Sequence, residues 1–275
     1  MFLAIAVATP HLSAVQQKPA PPDALRQMAD TERAFAARAG VVGWKQAFLE
    51  YFAESAVGFD ATGPGLAKDQ IRSLPDPPKD VQLLWEPRYG DIAASGELGW
   101  LTGPSTSINP ARDKGQPRHG NYASVWKRQA DGTFKVVMDV GVNLPQSATF
   151  APGFTRVPQA GRYLGGATNA QSTLADADRA LTRAATSNQA SAYRGRLAAG
   201  ARLHRHDMMP RVGEDEIVRW LAMQPAAPAA EHRFAEAARS GDLGYTWGRY
   251  GMGYYIRVWT RGADSTWRVV LDVLQ

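Results

Sequence analysis

The sequence predicts an α+β fold in which helices precede an antiparallel sheet, and it predicts that this unit occurs twice in tandem. Two repeated stretches indicate the duplication. VWKRQADGTFKVVMDV, at Val125–Val140, returns as VWTRGADSTWRVVLDV at Val258–Val273. SGELGWLTG, at Ser95–Gly103, returns as SGDLGYTWG at Ser240–Gly248. A third observation indicates the class, because apolar residues follow helical spacing early in a copy and strand-like alternation later.

Two helices are predicted at the start of the first copy. Their apolar residues recur at helical spacing on either side of Gly43: Leu25, Met28, Phe35 and Ala39 before it, and Trp44, Phe48, Tyr51 and Phe52 after it. The later half predicts strands. DIAASGELGWLTG (residues 91–103) indicates strand, turn and strand around Ser-Gly-Glu. YASVWKRQADGTFKVVMDV (residues 122–140) indicates a hairpin that turns at Ala-Asp-Gly-Thr.

The repeats also predict domain boundaries. The copies align with a shift of 145 residues at Ser95 and Ser240 but of 133 residues at Val125 and Val258. The first copy therefore carries about a dozen extra residues in a loop-like stretch before its last hairpin. We predict an export segment with a Pro-rich spacer at 1–22, a first domain at 23–143, a linker at 144–170, and a second, shorter and divergent domain at 171–275.

Composition excludes several classes of protein. Hydrophobic residues make up 44% of the 275 residues and charged residues 21%, which is the balance of a globular protein. The net charge of +5 comes from scattered basic residues, so we expect no nucleic-acid partner. The chain has no cysteine, which excludes a thiol nucleophile and a zinc–thiolate site. It has no glycine-rich phosphate loop, and we expect no cofactor.

The N-terminal residues resemble the back half of a secretory signal peptide. An apolar run from Phe2 to Val7 precedes small residues up to Ala14, although no Lys or Arg comes before the run. We expect a periplasmic or secreted protein, or a cytoplasmic one if this segment is not a signal. No later run reaches the roughly 20 apolar residues that span a bilayer, so we expect no other membrane contact.

Three stretches resemble the nuclear transport factor 2-like superfamily, which includes SnoaL-like polyketide cyclases and ketosteroid isomerase-like proteins, and the nearest likeness is to its large bacterial branch. They are ERAFAARAGVVGWKQAFLEYFAESAVGF at Glu32–Phe59, AASGELGWLTGP at Ala93–Pro104, and YASVWKRQADGTFKVVMDVG at Tyr122–Gly141. The resemblance implies two tandem cone-shaped domains, in each of which N-terminal helices pack on a curved antiparallel sheet around an apolar cavity. The second helix predicted for the second copy, at Asn188–Asp207, has lost the aromatic stripe, so the resemblance does not imply a pocket there.

The resemblance also implies that a ligand would lie in the cone of the first domain. The candidate ligand-binding residues are aromatic, because aromatic walls suit a small, mostly apolar molecule: Tyr51, Trp85, Trp100 and Trp126. The alternative is that these rings only fill the hydrophobic core. We predict no metal site, since His204 and His206 on one strand face would still need a third ligand, such as His232.

Asp139 is the leading candidate for chemistry, with Tyr122 and His119 as candidate catalytic partners. Asp139 lies in an otherwise apolar strand, as Asp272 does in the second copy, and it follows Lys135 by four residues. A carboxyl group in an apolar site has a raised pKa and acts as a general base or as a neutral hydrogen-bond donor. The alternative is a structural aspartate that pairs with the base on the same strand face.

The leading functional hypothesis is that the first domain binds a small apolar or aromatic ligand. The second domain would then be partly structural, and the two would pack as an intramolecular pseudo-dimer. One alternative is a cofactor-free isomerase, dehydratase or cyclase that uses Asp139. Asp30 and Arg33 would complete an epoxide-hydrolase-like triad, although a surface ion pair between those two is the simpler expectation. The last alternative is a non-catalytic interaction module with an exposed apolar patch.

Overall fold

The computed structural model describes residues 23–112, 115–149, 152–157, 161–163 and 165–275. The predicted export segment and spacer at 1–22 lie outside the described residues, and so does part of the predicted linker. Among the helices that are described, none combines the length and the apolar character needed to cross a membrane.

The first domain has three helices and one sheet in the part of the chain that is described. The helices are α1 (Ala24–Val42), α2 (Trp44–Tyr51) and α3 (Ala67–Ser73). The strands are β1 (Phe52–Asp60), β2 (Gly63–Leu66), β3 (Gln82–Trp85), β4 (Tyr89–Ile92), β5 (Leu98–Ile108), β6 (Arg118–Arg128), β7 (Phe134–Asn143) and, from the segment between the domains, β8 (Thr155–Arg156). They are ordered β2-β1-β7-β6-β5-β4-β8, and β3 also pairs with β5.

The second domain repeats this arrangement. Its helices are α4 (Ala170–Ala185), α5 (Gln189–Tyr193) and α6 (Glu214–Leu221). Its strands are β9 (Leu197–His204), β10 (Arg211–Val212), β11 (Ala230–Ala237), β12 (Leu243–Tyr250), β13 (Gly253–Arg261) and β14 (Trp267–Leu274). Their order, β10-β9-β14-β13-β12-β11, matches the order β2-β1-β7-β6-β5-β4 of the first sheet. The predicted α+β class and the predicted duplication are therefore confirmed.

One apolar face of α1 packs on the first sheet. Met28 and Phe35, seven residues apart and thus on the same side of the helix, are buried. The helix approaches the sheet closely because β5 has a glycine beneath it: a Cβ atom at Gly99 would lie 2.6 Å from Sδ of Met28. The second domain uses the same device, since a Cβ at Gly244 would lie 2.5 Å from Cδ2 of Leu174.

Both domains carry a β-bulge at the same place in their last hairpin. In the first domain the pairing changes from Val125 with Met138 to Trp126 with Val136, so Val137 has no opposite residue. The bulge shifts the alternation of side chains, and Lys135 and Asp139 consequently lie on opposite faces of the sheet. The prediction that they share a face is wrong for this reason, and the equivalent bulge in the second domain has the same effect there.

The two domains contact each other through equivalent residues. The backbone N–H of Ala94 donates to Oδ2 of Asp242 at 3.0 Å, and the N–H of Arg239, which aligns with Ala94, donates to Oε1 of Glu97 at 2.6 Å. Between these contacts, the two serine hydroxyl oxygens of the Ser-Gly turns, Ser95 and Ser240, lie 2.7 Å apart. Each domain therefore gives the other the same pair of contacts.

An arginine from the segment between the domains binds both of them. The guanidinium of Arg162 donates to both carboxylate oxygens of Asp91 at 2.9 Å and to Oδ2 of Asp242 at 3.0 Å. Both carboxylates are buried. Behind these polar contacts, the side of the first sheet that faces away from its helices forms one continuous hydrophobic core with residues of the second sheet, including Trp247 and Val258.

Candidate functional site

The side of the first sheet that faces helix α1, here called the inner face, carries the candidate chemistry. Ser124 and Trp126 both donate hydrogen bonds to Glu32 of α1, which fixes the direction of that face. Tyr122 lies on the same side because residues two apart on a strand share a face. Asp139 is paired with Ser124 in the register of β6 and β7, so its side chain also lies on the inner face.

Glu32 is a buried carboxylate with three hydrogen-bond donors. It accepts from Nε1 of Trp85 at 2.6 Å, from Nε1 of Trp126 at 2.7 Å and from Oγ of Ser124 at 2.7 Å. Burial raises the pKa of Glu32, and these hydrogen bonds oppose the rise. Indole N–H groups donate only, so each carboxylate oxygen is bound as an acceptor, and this arrangement suits the ionised form.

Among the described residues, Asp139 and Tyr122 are polar groups of the inner face whose side chains lack hydrogen-bond partners. The carboxyl group of Asp139 has no hydrogen bond or ion pair with any described residue, although Asp139 is only half-buried. The hydroxyl group of Tyr122 is buried without a partner in the same part of the chain. Burial raises the pKa of Asp139 well above its ordinary value, and the nearby Glu32 raises it further. Burial, Glu32 and Asp139 likewise raise the pKa of Tyr122.

Aromatic rings from the helices and from β3 cluster around Phe35 on the helix side of the same sheet. Phe35 of α1 stacks on Tyr51, with ring centroids 4.8 Å apart, and it makes edge contacts with Phe48 at 4.9 Å and Trp85 at 4.8 Å. Trp126 is fully buried beside them, with its ring centroid 6.3 Å from that of Phe35. Of the predicted ligand-binding residues, the structure thus brings Tyr51, Trp85 and Trp126 together on the helix side of the sheet.

Two predicted site residues lie elsewhere. Trp100 is paired with Val125, which alternates with Ser124 and Trp126, so Trp100 is buried on the face of the sheet opposite to the helices. His119 is an odd number of residues from Tyr122 on the same straight strand, and it therefore points away from the inner face as well. Its Nδ1 lies 3.5 Å from Oγ1 of Thr106. Trp100 is predicted from its aromatic side chain and His119 from its place at the end of the long loop, and neither criterion determines which face of a strand a residue occupies.

The second domain places the same kinds of group at the equivalent positions but adds an arginine. Asp178 corresponds to Glu32, Tyr255 to Tyr122 and Asp272 to Asp139, whereas Arg257 replaces Ser124. The guanidinium of Arg257 donates to Asp178 at 2.8 Å through Nη1 and to Asp272 at 2.8 Å through Nε. The remaining opening beside it measures only about 10 Å³.

Each group that lacks a partner in the first domain has one in the second. The hydroxyl of Tyr255 donates to Asp178 at 2.6 Å. Asp272 accepts from the hydroxyl of Tyr193 at 2.6 Å and is paired with Arg205 at 2.8 Å as well as with Arg257. Burial pushes the pKa of Asp272 upwards, but Arg205 and Arg257 outweigh it and hold the pKa at about 2.

The strand register explains why Asp139 lacks the partners that Asp272 has. Phe52 pairs with Val136 as Leu197 pairs with Val269, so the residues four positions earlier, Phe48 and Tyr193, are equivalent. Phenylalanine has no hydroxyl group to donate. By the same register, the equivalents of Arg205 and Arg257 are Asp60 and Ser124. Neither of these residues supplies a positive charge.

The other candidate constellations do not form sites. Asp30 and Arg33 make an exposed ion pair of 2.7 Å on α1, so they do not join Asp139 in a triad. The histidines of the second domain have separate partners: His204 contacts the amide of Asn121 at 3.0 Å, and His232 contacts Asp178 at 2.6 Å. In the described ranges, no three metal-ligating side chains of the His, Cys, Asp or Glu type come together.

A surface groove of about 970 Å³ opens away from the acids, between the end of α1 and the segment before β3. Its lining includes two exposed apolar side chains, Val41 and Leu84, and the basic residues Lys45, Arg72 and Lys79. The interaction-module alternative requires an exposed apolar patch, and the lining of this groove is mixed polar and apolar. It does not include Asp139 or Tyr122.

Sequence reasoning missed Glu32, Ser124 and Arg257 as residues of this site. Glu32 carried a signal, because it lies four residues after Met28 and three before Phe35, on the apolar face of a predicted helix. Ser124 and Arg257 also carried a signal in the sequence. They occupy equivalent positions and differ inside a stretch that is otherwise closely repeated, YASVW in the first copy and YIRVW in the second.

Neither a family model nor a curated protein matches this chain. Solved structures that match it include a nuclear transport factor 2-like superfamily protein from Salmonella enterica, at 13% identity over 48% of this chain and 97% of that protein, with a TM-score of 0.34. A ketosteroid isomerase-like protein from Erwinia carotovora matches at 14% identity over 42% and 96%, with a TM-score of 0.32. Nuclear transport factor 2 from Cryptosporidium parvum matches at 14% identity over 44% and 95%, with a TM-score of 0.32.

These structures carry the names of the superfamily that the three stretches of the sequence resemble. Each of them spans less than half of this chain and nearly all of its own length. The assignment of two domains to this chain rests on its own two sheets of matching strand order.

Proposed function

We propose that the first domain binds a small, mostly apolar molecule on the inner face of its sheet, beside Tyr122 and Asp139. One observation carries this proposal: among the described residues, the tyrosine hydroxyl and the aspartate carboxyl have no hydrogen-bond partners, whereas their equivalents in the second domain are hydrogen-bonded. A buried polar group without a hydrogen bond costs about 1–3 kcal/mol. A bound molecule with matching polar atoms would recover that free energy.

The surroundings of these two groups support a mostly apolar ligand. The rings of Phe48, Tyr51 and Trp85 lie on the helix side of the same sheet, packed around Phe35. Aromatic walls with a few convergent polar groups are typical of binding sites for small organic molecules. Asp139 retains part of its surface in contact with solvent, which gives a ligand a route to it.

We propose a structural role for the second domain, as the partner that a homodimer would otherwise supply. Arg257 occupies the space between Asp178 and Asp272, so this domain has little room for a ligand. Its Ser-Gly turn repeats the contacts that the first domain makes, which is the pattern of a two-fold symmetric interface. The two domains would thus form an intramolecular pseudo-dimer.

Native mass spectrometry of the full chain tests the binding proposal. We expect the purified protein to carry a small molecule, or to bind one from a library of aromatic compounds, with a 1:1 stoichiometry. Tyr122→Phe and Asp139→Asn should each weaken that binding, because they remove the two groups that lack partners. Asp176→Asn, on the exposed surface of α4, is the matched control and should bind normally. Equal binding by all three variants would contradict the proposal.

A second candidate function, cofactor-free proton transfer, is supported by the raised pKa of Asp139. A carboxyl group with a raised pKa beside a tyrosine hydroxyl suits general acid–base catalysis on a carbonyl compound. Incubation of the protein with aromatic ketones in D2O would reveal such an activity as exchange of the α-protons, followed by NMR. Exchange should be abolished in Asp139→Asn. Unchanged exchange in that variant would exclude Asp139 as the proton-transfer group.

A further inference from the structure

The inner face of the second domain binds the guanidinium group of Arg257. Its guanidinium binds the carboxylates of Asp178 and Asp272, each at 2.8 Å. It also lies over the ring of Tyr255, with Cζ 4.2 Å from the ring centroid. All four side chains are buried. Two acids and an aromatic ring thus enclose one organic cation that belongs to the chain itself.

The first domain has the equivalent acids and tyrosine without the arginine. Glu32, Asp139 and Tyr122 stand where Asp178, Asp272 and Tyr255 stand in the second domain. The residue between them is Ser124, whose side chain carries no charge. In the part of the chain that is described, no ion pair includes Glu32 or Asp139. A carboxyl group taken out of water is normally paired with a cation or takes up a proton, and no described cation pairs with the buried Glu32 or with the half-buried Asp139.

We infer that the ligand of the first domain carries an organic cation, a guanidinium or a protonated amine on a mostly apolar body, which lies between Glu32 and Asp139 where the guanidinium of Arg257 lies in the second domain. This inference rests on the binding function proposed above and names the class of its ligand. The three neutral donors on Glu32 satisfy the hydrogen-bonding capacity of its oxygens, but they supply no positive charge.

The same geometry determines which ligands would be rejected. An anionic ligand would approach two carboxyl groups with no basic side chain paired to either of them. A neutral ligand would satisfy the hydroxyl of Tyr122 but would leave the charge of the acids uncompensated. A cation makes charge-assisted hydrogen bonds to the acids and also contacts the ring of Tyr122, as the guanidinium does over Tyr255.

A matched pair of probes tests this inference on the full chain. Benzylguanidine is cationic at neutral pH, and N-benzylurea has nearly the same shape without the charge. We expect isothermal titration calorimetry to show benzylguanidine binding at least about tenfold more tightly, since hydrogen bonds to charged groups exceed neutral ones by that much. Asp139→Asn should remove most of this preference, whereas Asp176→Asn should retain it.

A second variant introduces the arginine of the second domain at the equivalent position of the first. Ser124→Arg places a guanidinium between Glu32 and Asp139, and we expect it to abolish benzylguanidine binding and to raise the melting temperature. Its complement is Arg257→Ser, which removes the internal cation from the second domain. The lowered melting temperature of that variant should be partly restored by millimolar guanidinium or benzylguanidine but not by N-benzylurea.

The outcomes separate this inference from the function on which it rests. If N-benzylurea binds as tightly as benzylguanidine and Asp139→Asn weakens both, the cation is excluded and the binding function stands. If neither probe binds, the inference fails. Native mass spectrometry then decides the binding function by itself, because a neutral molecule retained from the host would still support it. A protein that carries and binds nothing would contradict both.

Discussion

Replacement of Arg257 by leucine is expected to destabilise the second domain by about 3 kcal/mol at pH 7. Removal of one member of a buried ion pair typically costs about 3–5 kcal/mol, because the partner is left charged and without compensation. Arg257 is paired with two such carboxylates, Asp178 and Asp272. The lower end of the range applies here, since His232 remains beside Asp178 and Arg205 remains beside Asp272.

The pH dependence of this loss follows from the pKa values. The pKa of Asp178 is lowered and that of Asp272 is held at about 2, although burial opposes both shifts. A carboxyl group whose pKa is lowered in the folded state stabilises the protein at pH values above its unfolded-state pKa of about 4. This stabilisation is lost as the pH falls through the folded-state pKa. The difference between the wild type and Arg257→Leu should therefore be largest near pH 7 and shrink between pH 4 and pH 2.

Urea unfolding followed by tryptophan fluorescence measures this difference. Arg179→Leu is the matched control, because Arg179 makes an exposed ion pair with Asp176 on α4 of the same domain. An exposed pair contributes at most about 1 kcal/mol, so the control should stay close to the wild type. The reasoning would be refuted if Arg257→Leu were as stable as the control at pH 7, or if its loss did not diminish in acid.

Three other outcomes are expected. Gly99→Val should cost about 1–3 kcal/mol in urea unfolding, since its Cβ would lie 2.6 Å from Sδ of Met28, while Gly40→Ala, with nothing within 4 Å, should be tolerated. Asp139→Asn should be more stable than the wild type near pH 7, because burial raises the pKa of Asp139 and the wild type therefore loses stability as the pH rises above the unfolded-state pKa; the gain should vanish below about pH 4. Asp242→Ala should cost about 2–3 kcal/mol, because it leaves the N–H of Ala94 without its acceptor and removes one of the two buried carboxylates that bind Arg162; a loss below 0.5 kcal/mol, taken as about the noise of the assay, would show that the interface does not need this carboxylate.

The fold was predictable because the same sequence pattern occurs twice in the chain. Helical spacing at Met28 and Phe35 and the two similar hairpins were enough to predict helices packed on antiparallel strands. The repeat could also be aligned without a structure, which identified Asp139 and Asp272 as equivalent. These features are local in sequence, and local patterns are what periodicity reports.

The candidate site was only partly predictable, because its residues are brought together by register. Asp139 and Tyr122 were identified from the sequence, but the bulge at Val137 separates Asp139 from Lys135, and no pattern in the apolar strand KVVMDV indicates where the bulge falls. Trp100 and His119 were misplaced because the face of a strand depends on alternation counted from a known neighbour. The pairing of Glu32 with Trp85 spans 53 residues, and nothing local indicates it.

The reciprocal contact at Ser95 and Ser240 has a genetic consequence. In a homodimer of identical subunits, one codon specifies both copies of every residue, so an arginine on the inner face would fill both sites at once. Here the two sides of the interface are encoded separately within one chain. Position 124 can remain serine while position 257 is arginine, and the domain that keeps its acids unpaired is fused to one whose acids are neutralised. Covalent linkage thus allows two domains of matching strand order to differ at one inner-face position, at a fixed ratio of one to one.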